Sequence, residues 1–184
     1  KTRGQFFTPE PVIDFCIKMI NPAPGERVLD PACGSGGFLF QTYLYVKNNS
    51  SFGDWNNYVS TNLTGMDINK NICRLAMMKF LLEGFVNVSI FNANSLRPIH
   101  ELKQYIKEET FDVILTNPPF GTRGKIIDAR ILSGYELGHR WNSTTEGWQR
   151  TDTRMRGQTP EALFIERCLA LLKSRGRMGI VLPN

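Results

Sequence analysis

Short apolar runs and amphipathic stretches alternate along this chain, and each run ends in turn chemistry. Arg27–Asp30 reads as a buried strand, followed at once by Pro31 and a glycine cluster. Phe38–Val46 reads as the next helix, and Leu63–Met66, ending at Asp67, as a second strand. Asn69–Glu83 sets Ile72, Leu75, Ala76 and Leu82 near a 3.6-residue period, with Gly84 as its C-terminal cap. Asn87–Phe91 predicts a third strand, Ile99–Lys107 a helix, and Phe111–Thr116 a fourth strand, apolar except at its ends. Pro160 starts a helix over Glu161–Lys173, and Arg177–Leu182 follows as a fifth strand. The polar stretch Asn48–Thr61 reads as a surface loop or insertion.

Strand–helix alternation predicts an α/β fold, a doubly wound and mostly parallel sheet with helices on both faces. In such Rossmann-like sheets ligands sit at the carboxyl ends of strands, near the point where strand order reverses. The residues directly after each strand are therefore where chemistry is expected. Residues 121–159 break the pattern: no element is predicted there, yet the stretch holds Trp141, Trp148 and seven of the basic residues. A loop of this length inside one domain is usually functional or disordered.

A length of 184 residues with 41% hydrophobic residues suits one domain with a real core. The net charge of +5 is unevenly placed. Residues 1–121 hold eleven basic and eleven acidic side chains, while residues 122–184 hold eleven against six. Either a solvated face or a surface that meets phosphates would explain that excess. Cys16, Cys33, Cys73 and Cys168 have no CxxC spacing, and His100 and His139 lie far from any cysteine pair, so neither a structural zinc nor a disulfide framework is expected. Nothing resembles a signal peptide or a membrane span, and the expectation is a cytoplasmic protein with reduced thiols.

Asp30-Pro31-Ala32-Cys33-Gly34-Ser35-Gly36-Gly37-Phe38 joins the first strand to its helix. Its glycines allow a tight turn and close approach of a ligand, and the helix start behind them offers free N–H groups. A P-loop needs Gly-Lys-Ser/Thr at its end, and a nicotinamide fingerprint needs a third glycine where Leu39 stands. With no basic side chain beside it, the cluster suits an uncharged nucleoside carrying an amino acid better than a phosphate. Asp67 could accept both hydroxyls of a ribose, with Ile68 on an adenine face, or it could simply cap the following helix.

Asn117-Pro118-Pro119-Phe120 follows the fourth strand. Two prolines stiffen the backbone and remove two donors, leaving carbonyl acceptors beside the Asn117 side-chain oxygen. Phe120 adds a flat apolar face. This set suits a planar ring with an amino substituent, whose two N–H groups go to Asn117 and a proline-flanked carbonyl. Held this way, the amino nitrogen moves toward tetrahedral geometry and can attack a sulfonium methyl in line, without a strong general base.

Taken together these residues resemble the DNA amino-methyltransferases, specifically the adenine-N6 group found in modification subunits of type I restriction systems and in related fused enzymes. Gly4-Gln5-Phe6-Phe7-Thr8-Pro9 is similar to the family segment that contacts the methionine end of the cofactor. Asp30, Ala32, Cys33, Gly34, Ser35 and Gly36 resemble its glycine loop, and Asp67 with Ile68 its ribose and adenine contacts. Ala93-Asn94-Ser95-Leu96 falls where the family often has Gly-Asp-Ser/Thr-Leu, with Asn94 in place of the acid that contacts the adenine amino group. Asn117, Pro118, Pro119 and Phe120 resemble the catalytic motif, and Arg177–Asn184 the next strand and its exit.

The resemblance implies S-adenosyl-L-methionine as cofactor and methyl transfer to the N6 amino group of adenine in DNA. It further implies DNA, a specificity subunit and a restriction subunit as partners, with no membrane. It divides the single domain into an N-terminal cofactor motif and helix (1–21), a cofactor-binding and catalytic core (25–120), a basic loop (121–159) and a helix and strand (160–184). Because family members carry more chain than this, a fragment is expected. Asn-Pro-Pro-Phe also occurs in RNA guanine-N2 methyltransferases, and a close relative of it in protein glutamine methyltransferases. Those substrates stay open as alternatives, as does a non-catalytic scaffold. The Gln-Phe-Phe-Thr-Pro segment ahead of the glycine loop is more particular to the DNA group.

Overall fold

A computed structural model describes residues 7–51, 53–121 and 124–183. Five parallel strands form the sheet: β1 (Val28–Asp30), β2 (Leu63–Asp67), β3 (Ser89–Asn92), β4 (Phe111–Thr116) and β7 (Leu172–Ile180), in the order β3-β2-β1-β4-β7. Asp30 pairs with Gly65, Leu29 with Ile114, and Leu115 with Gly179. The central strands β1 and β4 are covered on both faces, which is why they read as near-continuous apolar runs. Successive side chains still part by face. Val28, Val113 and Leu115 pack with α1 (Glu10–Ile20), α2 (Gly37–Asn48) and α4 (Lys70–Leu82). Leu29, Met66, Phe111 and Ile114 pack with Leu102, Ile106 and α7 (Pro160–Leu171).

From β1 the chain moves outward through β2 to β3, then returns to place β4 on the other side of β1. The crevice between the carboxyl ends of β1 and β4 is the switch point at which α/β sheets bind ligands. Phe7 and Thr8, just ahead of α1, come to this crevice. α1 packs against α2 and β7, and the Arg177 guanidinium fixes its end by donating from Nε to the Ile20 carbonyl (2.9 Å) and from Nη2 to Glu26 Oε2 (2.7 Å).

Four expectations about elements need correction. Residues 48–61 are not only a polar loop: a short helix α3 (Trp55–Asn57) and a π-helical turn Tyr58–Asn62 bury Tyr58 and Val59 in the core. Trp55 meets Tyr43 and Tyr58 edge to face, so this one turn reaches the core while most of the stretch stays at the surface. The helix expected over Ile99–Lys107 is the short α5 (Ile99–Leu102), continued only by turns in which Tyr105 and Ile106 N–H groups share the Leu102 carbonyl. That suffices to bury Leu102 and Ile106. The last strand begins at Leu172 and absorbs a register shift between Phe111 and Val113, with Arg175 at φ 66° in the irregular part. Helix α7 therefore stops at Leu171 rather than Lys173.

Residues 121–159 depart furthest from expectation. They hold α6 (Ala129–Leu132), a 3₁₀ turn (Glu136–Gly138) and an antiparallel hairpin of β5 (His139–Thr144) and β6 (Gly147–Arg154). A third apolar cluster of Leu96, Ile131, Leu132, Tyr135, Leu163 and Phe164 fastens the segment to the sheet. At its centre the buried Tyr135 hydroxyl donates to the Leu96 carbonyl (2.9 Å) and accepts from Arg167 Nε (2.8 Å). Arg167, also buried, donates from Nη2 to the Arg97 carbonyl (2.8 Å). Tyr135→Phe leaves both neighbours short of a partner and should cost about 1–3 kcal/mol, read as a lower urea midpoint. An unchanged midpoint would mean that this tie contributes nothing.

Candidate active site

The site begins with a buried acid. Asp30 closes β1, and its Oδ1 accepts from the Thr116 hydroxyl (2.7 Å) and the Ala32 N–H (3.1 Å). Burial pushes its carboxyl up to about 7, against the two hydrogen bonds, which favour the anion. A folded-state value above the unfolded one means that the native state holds the extra proton. Stability therefore falls as pH rises from about 4 to about 7, by up to about 4 kcal/mol. Thermal unfolding followed across that window should show the decline, and Asp30→Asn, which keeps an acceptor oxygen, should flatten it. An equally steep decline in the variant would assign it to other groups.

The glycine loop follows. Gly34 (φ 52°) and Gly36 (φ 77°) both lie in the left-handed region, and Gly36 is the N-cap of α2, with no side chain capping that helix. Cys33 is buried, its N–H bound to the Met66 carbonyl (2.9 Å), whereas Gly34 and Ser35 are partly open. The loop is laid close on β2 because position 65 has no side chain. A Cβ at Gly65 would stand 2.8 Å from Leu39 Cδ1 and 3.1 Å from Cys33 Sγ.

Asp67 reaches back to this loop. Its two oxygens accept separately, Oδ2 from the Gly34 N–H (3.1 Å) and Oδ1 from the Asn69 N–H (2.8 Å). The cap of α4 is Asn69, which accepts from the Asn71 and Ile72 N–H groups. The carboxylate is thus placed at the strand end beside the glycines rather than used as a helix cap. Ile68 beside it is 69% exposed and offers an open apolar face. Asn94 Oδ1 accepts from the Leu96 N–H (3.0 Å). Ser95 is buried, and its hydroxyl donates to the Pro31 carbonyl (2.7 Å), bracing the glycine loop from the β3 side.

The fourth strand delivers Asn117-Pro118-Pro119-Phe120 to the opposite wall. Asn117 Nδ2 donates to Thr8 Oγ1 (2.9 Å). With the amide in this orientation, Oδ1 is buried and accepts no hydrogen bond among the described residues. A buried acceptor left open costs about 1–3 kcal/mol and calls for a reason. Pro118 is buried, while Pro119 and Phe120 are exposed, Phe120 at 41%. Phe7, 68% exposed, and Thr8 come to the same place from the N-terminal side, and the Pro9 carbonyl starts α1 by accepting from Val12 and Ile13. Gln5 and Phe6 lie outside the described residues.

The strand ends thus bring the glycine loop, Asp67 and Ile68 to one wall and Asn117 with Thr8 to the other. Glycine-loop N–H groups, the Asp67 carboxylate and the open face of Ile68 could hold a nucleoside. Two connections were not read from the sequence. Thr116 anchors Asp30, and its only signal was a polar residue ending an apolar strand. The Thr8–Asn117 hydrogen bond joins residues 109 apart, which no local pattern marks.

A family model described as N-6 DNA methylase matches residues 1–184. The EcoEI methylase subunit of a type I restriction enzyme from Escherichia coli is 31% identical over 192 aligned residues, covering 98% of this chain and 33% of that protein. Among solved structures, a modification subunit ascribed to a type I restriction enzyme from Vibrio vulnificus YJ016 is 27% identical with a TM-score of 0.72, over 96% of this chain and 34% of that one. The EcoKI M protein is 26% identical with a TM-score of 0.69, over 97% of this chain and 34% of that one. The chain spans about a third of the length of these relatives. Matched over every residue and carrying the motif order described above, the chain belongs to the N-6 DNA methylase family.

Proposed function

We propose that this chain is the catalytic core of an enzyme that transfers a methyl group from S-adenosyl-L-methionine to the N6 amino group of adenine in DNA. The observation that carries the reading is the buried Asn117 Oδ1, without a hydrogen-bond partner among the described residues, at the switch point of the sheet. Phe7, Thr8, the loop from Asp30 to Gly36, Asp67, Ile68 and Asn94 would hold the cofactor, together with Gln5 and Phe6 of the same motif. Their chemistry suits it: N–H groups and a ribose-sized acceptor at one wall, with no basic side chain in the loop to select a phosphate. When bound, S-adenosylmethionine supplies an electrophilic methyl on a sulfonium centre.

What the protein itself contributes is grip and orientation. Asn117 Oδ1 and the Pro118 carbonyl accept the two N–H bonds of the adenine amino group, and Phe120 stacks on the ring. Thr8 holds the Asn117 amide in the orientation that keeps Oδ1 free. With both N–H bonds occupied, the nitrogen lone pair points out of the ring plane, and the proton leaves to water after the methyl arrives. A base in a duplex cannot reach such a site, so the target adenine must leave the stack.

The named relatives are methylase subunits of type I restriction enzymes. This chain fits the same setting, with a specificity subunit and a restriction subunit as partners and the cytoplasm as its place of work. No helix among the described residues is long and apolar enough to cross a membrane.

The test uses the purified full-length protein with its partner subunits and methyl-labelled S-adenosylmethionine. Duplex DNA, RNA and protein are offered together as acceptors. Label in DNA, recovered as N6-methyladenine, is expected. Label in RNA guanine or protein glutamine would keep the chemistry and overturn the substrate. Cofactor binding with no transfer to any acceptor would favour a scaffold.

A further inference from the structure

The hairpin of β5 and β6 has no counterpart in the chemistry above. Across residues 139–154 every side chain is exposed except His139 and Thr151, which are half-buried, so neither face of the hairpin is covered. A two-stranded ribbon alone is marginal in water. Among the described residues, the ties that anchor this one lie toward its base. Arg150 Nε lies 3.2 Å from Glu136 Oε2, Trp141 Nε1 donates to the Glu136 carbonyl (3.1 Å), and the Met155 N–H donates to the Gly138 carbonyl (2.8 Å). Glu166 of α7 in turn accepts from the Glu136 and Leu137 N–H groups (2.7 and 2.9 Å).

The root of the hairpin is on the catalytic end of the sheet. Tyr135 bonds the Leu96 carbonyl one residue after Ser95, which bonds Pro31 at the exit of β1, and Ala32 packs against the same apolar cluster. The ribbon therefore springs from the end that holds Asp30, Asp67 and Asn117.

Its composition names the kind of partner. No aliphatic side chain occurs from 139 to 154. Arg140, Arg150 and Arg154 stand among Asn142, Ser143, Thr144, Thr145, Gln149, Thr151 and Thr153, with Arg156 just beyond and only Glu146 and Asp152 as acids. A protein interface surrounds its Trp and Arg anchors with an apolar core, and no aliphatic side chain flanks Trp141 or Trp148 on the ribbon. Arginine, asparagine, glutamine and hydroxyl side chains are those that bond phosphates and base edges. Trp148, near the tip and 70% exposed, adds the one large flat surface there.

We propose that this hairpin is a duplex-DNA contact that lies along the groove beside the extruded target base and holds the DNA over the site. It deepens the function proposed above and rests on it. The major groove admits a two-stranded ribbon of this kind.

The test uses the intact protein in its native assembly. Anisotropy titrations with a short mixed-sequence duplex, repeated at several salt concentrations, compare wild type with Arg140→Ala/Arg154→Ala and with Trp148→Ala. These positions avoid the Glu136 anchor. The double variant should bind about tenfold more weakly, with a salt slope smaller by about 2. Trp148→Ala should lose about fivefold, in the range of a lost aromatic contact to bases. Affinity for S-adenosylmethionine should not change, which checks the fold. If the point variants misfold, an Asn-Gly turn replacing residues 142–149 serves instead. Unchanged duplex affinity overturns the proposal. So does lost assembly with partner subunits at unchanged duplex affinity, which would make the ribbon a protein interface. The binding readout needs no methyl transfer. Hairpin-dependent duplex binding by a protein that methylates no adenine would therefore count against the proposed function and not against the hairpin.

Discussion

Asn117→Ala should lower methyl transfer by about a thousandfold or more, some 4 kcal/mol of transition-state stabilisation, while cofactor affinity stays within about twofold. The variant removes a buried acceptor oxygen that has no partner among the described residues, together with the donor that ties the turn to Thr8. Losing a single preorganised hydrogen-bonding group at a reacting centre commonly costs about a hundred- to a thousandfold, and here the same group also sets the angle of the amino nitrogen. The Thr8 hydroxyl and the Pro118 carbonyl remain, and the glycine loop with its Asp67 contact is untouched. Asn117→Asp keeps acceptor oxygens but cannot donate to Thr8, and it should retain measurable transfer. Single-turnover rates with saturating DNA and cofactor read the effect on chemistry alone. Transfer by the alanine variant at near wild-type rates would sink the proposed grip on the amino group.

Asp67→Ala should act on the other wall. Its expected result is S-adenosylmethionine affinity weaker by about a hundredfold, near 3 kcal/mol, the size of two hydrogen bonds between ribose hydroxyls and a carboxylate. The same change strips acceptors from the Gly34 and Asn69 N–H groups, so a lower melting temperature should accompany it. Asp67→Asn separates these effects. One amide oxygen can serve only one of the two N–H groups, and the charge is gone, so an intermediate loss of about tenfold is expected. Calorimetric titration measures both variants. Unaltered cofactor affinity in Asp67→Ala would move the ribose elsewhere on the sheet.

Much of the architecture could be read from residues because burial on both faces leaves a plain mark. Phe111–Thr116 is covered above and below, so its middle, Val113–Leu115, is wholly apolar, and its bounds matched the reading. The candidate site was legible for a related reason. Parallel sheets expose function at strand exits, and Asp30, Asp67 and Asn117 each sit at one. What escaped depended on contacts distant in sequence. Trp55, Tyr58 and Val59 join a core cluster with Tyr43 and Phe85, residues distant in sequence, and polar neighbours disguised the stretch as a loop. The β5–β6 hairpin carries no apolar alternation, since neither of its faces is buried, so the usual period-two signal is absent. The early start of β7 lies in a bulge at Arg175 that breaks the strand pattern.

The most direct measurement is the nucleoside content of DNA and RNA from a host without adenine methylation that expresses the full-length protein with any specificity subunit. Mass spectrometry would quantify N6-methyladenine, N4-methylcytosine and N2-methylguanine, with Asn117→Ala as control. The account predicts N6-methyladenine in DNA that disappears in the control. Methylcytosine in DNA, methylguanine in RNA, or N6-methyladenine that persists in Asn117→Ala would contradict it.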